Sequence, residues 1–264
     1  MYAFEYHRPN TLSAALAVLA QEDAKPLAGG MSLLPTMKQR LAAPSALVEL
    51  KDLPELAGVN REGDNLVIGA MTRHAEVARN AAVQAAIPAL AKLAGGVGDP
   101  HVRNRGTIGG SIAHNDPAAD YPAAALGLGA TIVTSKRRIA ADDFFKGLFE
   151  TALDPGELIT SVSFPIPQKA GYMKFANPAS RYALVGVFVA KTAGGVRVAV
   201  TGAGEKGVFR LPAFESALNA NFVPAALDGL TGPADGLLAD IHADADYRAH
   251  LIGVMARRAV AAAG

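Results

Sequence analysis

Twenty residues from Arg103 to Pro122, RNRGTIGGSIAHNDPAADYP, hold three glycines, two asparagines, two prolines, a histidine and two aspartates. That is too much turn chemistry for one uninterrupted strand or helix. The pair Gly109-Gly110 also has a counterpart, Gly29-Gly30 in AGGMS, and each pair follows a short apolar segment and precedes a hydroxyl residue, Ser111 or Ser32. Glycine permits positive φ and close backbone approach, so successive N–H groups can converge on an anion without a lysine. A diphosphate fits between two such loops, with Ser32, Thr107 and Ser111 as hydroxyl donors. Two unrelated tight turns are the alternative.

Neither loop has the spacing of GxxxxGK[ST] or GxGxxG, which disfavours P-loop, kinase and Rossmann architectures. Asp116 and Asp120 are candidates for bonding sugar-type hydroxyls or for acid–base work. Asp116 precedes Pro117, which favours a helix cap over a ligand there, whereas Asp120 reads equally as cap or ligand. His114 has no HExxH or HxxxH partner, so a metal role is disfavoured, and His7, His74, His101, His242 and His250 are scattered. No GxSxG elbow supports a serine hydrolase. Arg103 and Arg105 offer contacts to phosphate, to a partner or to solvent.

The 264 residues are half apolar, with 25 Lys and Arg against 24 Asp and Glu. A sizeable core is therefore available, and no strong field recruits nucleic acid or an anionic membrane. There is no cysteine, which excludes disulfides, a cysteine nucleophile and a cysteine-ligated iron–sulfur cluster on this chain. No apolar run approaches the roughly 20 residues of a transmembrane helix, and the N-terminus lacks a signal-peptide pattern, so a cytoplasmic location is expected.

Patterning predicts a short strand, a helix capped by Thr11 or Ser13, and then strand, glycine turn, short helix and strand. NLVIGAMT reads as an alternating strand, and the alanine-rich run from Arg73 to Gly96 as helix interrupted at Pro88. A helix and a hairpin follow Pro122. FPIPQKAG marks a boundary, beyond which come three strand-like segments with Gly194-Gly195 in a hairpin turn, then two helices. The expectation is an α+β protein of two domains, 1–169 and 170–264, the first split near residue 58.

Four stretches, AGGMSLLPTMKQRL, GDPHVRNRGTIGGSIAHNDPAADYPA, FFKGLFETALDPGELIT and YMKFANPASRYALVGV, resemble in order the FAD-binding medium subunit of the molybdenum hydroxylases, the carbon monoxide dehydrogenase and xanthine dehydrogenase family. The resemblance spans nearly the whole chain. It implies a two-subdomain FAD-binding domain of the vanillyl-alcohol oxidase (PCMH) type, followed by a small C-terminal α+β domain with a three-stranded antiparallel sheet. It also implies an oxidoreductase subunit holding FAD non-covalently and passing electrons from a partner's [2Fe–2S] clusters to an external acceptor. The implied partners are a molybdopterin-binding large subunit and a [2Fe–2S] small subunit, assembled as a dimer of heterotrimers.

Carried over position by position, Leu27, Ala28, Gly29, Gly30, Met31, Ser32, Leu33 and Leu34 match the first FAD loop. Thr107, Ile108, Gly109, Gly110 and Ser111 match the second. Asp120 matches an aspartate that bonds the cofactor's hydroxyl-bearing portion, His114 a polar flavin contact, and Ile159 an apolar position of the site. Lys174 matches a lysine near the flavin, while Tyr182 and Val97 match positions beside its ring. Ser111 stands where some relatives have Asp or Asn, and the HNDPAADYP variant leaves carbon monoxide unassigned as substrate. A self-sufficient flavin oxidase and a non-catalytic nucleotide-binding assembly module are the competing readings.

Overall fold

The computed structural model describes residues 1–264 except residue 234. The chain opens with β1 (Glu5–His7), α1 (Leu12–Leu19), β2 (Lys25–Leu27), α2 (Leu33–Lys38) and β3 (Ala46–Glu49). Both helices are crossovers, so the three strands pair in parallel, in the order β1-β3-β2. Thr11 is the cap, its hydroxyl accepting the Ala14 amide at 3.2 Å. Ala15 and Leu19 are the buried stripe of α1 and pack with Val48 and Leu50. The first glycine pair leaves β2 directly.

The second layer is an antiparallel sheet in the order β4-β5-β10-β6-β7. Its strands are β4 (Val59–Glu62), β5 (Asn65–Gly69), β6 (Thr131–Thr134), β7 (Arg138–Ala140) and β10 (Ile159–Pro165). Between β5 and β6 run α3 (His74–Arg79), α4 (Ala81–Ala86), α5 (Pro88–Gly95), α6 (Pro100–Arg105), α7 (Ile108–His114) and α8 (Asp120–Leu128). Then α9 (Ala141–Phe144) and a hairpin, β8 (Phe145–Gly147) with β9 (Glu150–Thr151), lead back to β10.

The alanine-rich run is thus broken at Asn80 as well as at Pro88. The Asn80 side chain accepts from the amides of Ala82 and Val83 at 2.9 and 3.2 Å, offering the backbone a cap in place of a helix interior. Leu66, Ile68, Ile132, Val162 and Phe164 of the sheet meet Leu90, Ile108 and Tyr121 of the helices in the main core. Each fully buried side chain of this size contributes about 1.5–3 kcal/mol.

The last sheet comprises β11 (Lys169–Ala176), β12 (Ala183–Thr192), β13 (Gly195–Thr201) and β14 (Phe209–Arg210), antiparallel in that order. Four strands replace the three expected. The fourth pairs only Ala199 with Arg210 and Val200 with Phe209, too short to show a period of two in sequence. β12 is apolar on both faces because both are covered. Val185, Val187 and Val189 meet α10 (Pro212–Ala220) and α11 (Ala245–Ala262), while Phe188 and Ala190 join the main core beside α8. Buried Arg248 of α11 fixes the sheet ends, donating to the Leu184 and Gly202 carbonyls at 2.7 and 2.9 Å and to Asp240 at 2.7 Å. Among the described residues no helix is long and apolar enough to cross a membrane.

Candidate functional site

A cavity of about 550 Å³ opens where the parallel sheet meets the helices above the antiparallel one. Its walls are the segment after β2, the start of α7, the link from α5 to α6, the start of β10 and the turn before β12.

The segment after β2 supplies donors. The amides of Ala28, Gly29, Gly30, Met31, Ser32 and Leu33 have no acceptor among the described residues; the next amide, that of Leu34, already bonds the Gly30 carbonyl at 3.2 Å. Ser32 sits at the cap position of α2 with its hydroxyl unused as a cap. Gly30 has φ +70°, a left-handed conformation that turns the chain over the cavity. A Cβ on Gly29 would overlap the Arg105 carbonyl oxygen and lie 2.7 Å from the Gly106 Cα, so only glycine lets this segment lie against the end of α6.

The second glycine pair is built differently. Thr107 is extended and caps α7, its hydroxyl accepting the Gly110 amide at 3.2 Å, so Gly109 and Gly110 lie in the first helical turn. The amides of its neighbours are also engaged: Ile108 with Thr72 O at 3.1 Å, Gly109 with Ala70 O at 2.8 Å and Ser111 with Thr107 O at 3.0 Å. The expectation that Thr107 to Ser111 presents free N–H groups is therefore corrected for Ile108 to Ser111; only the Thr107 amide has no acceptor among the described residues. Gly109 instead allows close approach, since a Cβ there would lie 2.5 Å from that of Ala70. Two glycines masked a capped helix start, because glycine costs roughly 1 kcal/mol in a helix interior relative to alanine.

Asp116 does not cap a helix. Its carboxylate accepts the Ala118 amide at 2.8 Å within a turn, α8 starts at Asp120, and Asp116 itself reaches the cavity wall. Asp120 is buried at the start of α8; it accepts the Tyr172 hydroxyl and pairs with the Lys174 ammonium at 3.0 Å. Burial pushes its carboxyl above the ordinary range, opposed by Lys174 and Tyr172. Burial also raises the half-exposed Tyr182 phenol, with Asp116 and Asp120 adding to the effect.

Leu27 to Leu33, Val97, Thr107, Gly109, Gly110, Ser111, His114, Asp120, Ile159 and Tyr182 all line the cavity. Three predicted residues do not. Leu34 packs with Leu27, Met37 and Leu47; Ile108 points into the main core; Lys174 lies behind Asp120, where its charge is paired rather than directed at a ligand. Arg103 is turned inward, donating to the Val97 and Gly98 carbonyls at 2.7 Å each and so shaping that wall.

Among the lining residues that sequence reasoning missed, His74 and Glu157 are titratable and buried. His74 is buried against Gly106, whose Cβ would lie 2.6 Å from Nε2, and burial lowers the imidazole to about 4. Burial alone would raise the Glu157 carboxyl; hydrogen bonds from Arg137, the Asp154 amide and Thr134 outweigh it and hold it at about 2. That cluster fixes the turn leading to Leu158 and Ile159. The DPG turn was its only sequence signal.

Residues 2–167 match the family model for the FAD binding domain in molybdopterin dehydrogenase. The carbon monoxide dehydrogenase medium chain of Afipia carboxidovorans is 36% identical, over 98% of this chain and 96% of that one. The nicotine 6-hydroxylase medium subunit of Paenarthrobacter nicotinovorans is 35% identical, over 99% and 98%. A chain in the structure of carbon monoxide dehydrogenase from Hydrogenophaga pseudoflava superposes with a TM-score of 0.88 at 38% identity, covering 99% of this chain and 97% of that one.

Proposed function

The chain belongs to the FAD-binding medium subunits of the molybdenum hydroxylases, and from that membership we propose that it binds one FAD non-covalently and relays electrons from a partner's [2Fe–2S] clusters to an external acceptor. The observation carrying this reading is the row of six amides from Ala28 to Leu33 without an acceptor among the described residues, in a segment that lines a cavity sized for a cofactor. When bound, flavin supplies a centre that exchanges electrons singly or in pairs.

This chain's residues bind and orient. The Ala28–Leu33 amides suit a diphosphate, with Ser32 and Ser111 offering hydroxyls beside them. Close packing of Gly29 on α6 and of Gly109 on Ala70 brings both walls near enough to grip it. Buried Asp120 accepts a cofactor hydroxyl. Val97, Ile159 and Tyr182 provide apolar and aromatic surface that excludes water from one end. We assign FAD binding to residues 1–169, subdivided near 58, and docking and support to 170–264.

The implied assembly pairs the chain with a molybdopterin subunit and an iron–sulfur subunit, in a dimer of heterotrimers in the cytoplasm. The relatives' names span carbon monoxide and nicotine, which fits a substrate chosen by another polypeptide. The test is reconstitution. The purified chain should acquire flavin absorbance on adding FAD and co-purify with molybdenum and iron–sulfur proteins; failure to bind FAD would overturn the reading.

A further inference from the structure

Lys174 and Tyr172 stand two residues apart on β11, so their side chains share one face of the strand. That face meets the cavity wall at Asp120. Tyr172 donates to Asp120 Oδ1, and Lys174 Nζ lies 3.0 Å from Oδ2 and 3.0 Å from the Gly96 carbonyl. Gly96 follows α5 and leads straight into Val97 and Gly98 of the wall. One ammonium thus ties two sides of the cavity to the C-terminal sheet. Asp120 and Tyr172 are 6% and 5% exposed, and the Lys174 side chain 11%. An ionised carboxylate has about four acceptor positions. The protein occupies two of them, which leaves acceptor capacity for a ligand hydroxyl.

We propose that Lys174 and Tyr172 are positioning residues that keep Asp120 ionised and oriented as the hydroxyl acceptor for bound FAD, so the C-terminal sheet sets the pH range in which the first domain holds its cofactor. This rests on the FAD reading above. It also changes the role of Lys174, whose charge acts through Asp120.

Among the described residues Lys174 is the one cation paired with Asp120; Arg181, Lys25 and His114 line the same cavity without an ion pair to it. Tyr121 adjoins it in α8 and its phenol is raised by burial and by the Asp120 charge; Tyr182 and Asp116 share the cavity; His114 lines it from α7, and His74 is held neutral by burial. Without the ammonium, burial drives the carboxyl to take a proton, and the anionic acceptor is lost. Protonation falls as pH rises, so binding must recover with rising pH in a variant lacking the lysine.

The experiment is FAD affinity of the full chain, followed by fluorescence from about pH 6 to about pH 9, since burial acts to raise the carboxyl. Wild type should bind with a flat profile. Lys174→Met should bind about tenfold to a hundredfold more weakly at the acid end, the effect of losing one charge-assisted bond, and regain affinity as pH rises. Asp120→Asn should be weakened equally at every pH, and Lys174→Met should add little in its background. Lys174→Arg should restore the flat profile. Tyr172→Phe removes a donor without removing a charge and should show a smaller shift of the same sign, which keeps the test available if Lys174→Met does not fold. A pH-independent loss in both Lys174→Met and Tyr172→Phe, or effects of Lys174→Met and Asp120→Asn that multiply, would overturn the inference while leaving FAD binding intact. A wild-type chain that binds no FAD would overturn the functional reading itself.

Discussion

Replacing Gly29 with alanine should separate the donor segment from the wall it leans on. The new Cβ would overlap the Arg105 carbonyl oxygen and sit 2.7 Å from the Gly106 Cα, where ordinary contact begins at 3.4 Å. Both obstacles are backbone, so no side chain can rotate away, and relieving the tighter one moves the segment by roughly 1 Å. A shift of that size takes an N–H···O contact from about 2.9 Å to about 3.9 Å, which is no longer a hydrogen bond. Losing two such bonds to a charged ligand weakens FAD binding by about 3 kcal/mol, roughly a hundredfold. Overpacking should also lower the stability of the free chain by about 1–3 kcal/mol.

Gly110→Ala is the matched comparison. Its Cβ would meet the Thr107 hydroxyl at 3.0 Å and the Ala28 Cβ at 3.7 Å, and the Gly110 amide is already bonded within the chain. That variant should lose about 1 kcal/mol through the disturbed cap and stay within about tenfold of wild-type affinity. Titration calorimetry with FAD and denaturant melts of the free chain measure both. Binding by Gly29→Ala within about threefold of wild type, or a larger loss in Gly110→Ala, would refute the assignment of the donors to residues 28–33.

Three further outcomes follow from the site. Thr107→Ala should cost about 1 kcal/mol in denaturant melts through the lost α7 cap, with Thr107→Ser restoring most of it. Glu157, held at about 2, contributes stability that is present above its unfolded value near 4.5 and is lost as pH falls toward 2; Glu157→Gln should be less stable than wild type by about 1.5–3 kcal/mol at neutral pH, and the gap should narrow in acid. His74, lowered from 6.5 to about 4 by burial, leaves the unfolded chain binding a proton that the folded one refuses. Stability should therefore fall as pH drops from about 6.5 to about 4, by up to about 3 kcal/mol, and His74→Phe should remove that part of the slope, as melts across this range would show.

Local chemistry was legible in the sequence wherever one short segment decides it. Thr11 caps α1, the β12–β13 hairpin turns at Ala193 and Gly194 just before Gly195, and the residues from Leu27 to Leu33 do line a cavity, because a glycine pair after a strand bends backbone there whatever surrounds it. The paired loops and the four ordered motifs were enough for the family. The sequence could not say which glycine pair has free amides. Both read alike as GG before a serine, yet one runs unpaired over the cavity while the other is consumed by Thr107, Ala70 and Thr72, two of which lie more than thirty residues away. Lys174 shows the same limit: its charge suits a flavin in sequence, and only folding, by setting β11 against α8, gives it to Asp120. Hydrogen bonds and ion pairs are decided by which distant groups arrive first at bonding distance, and in this chain packing among three sheets makes that choice.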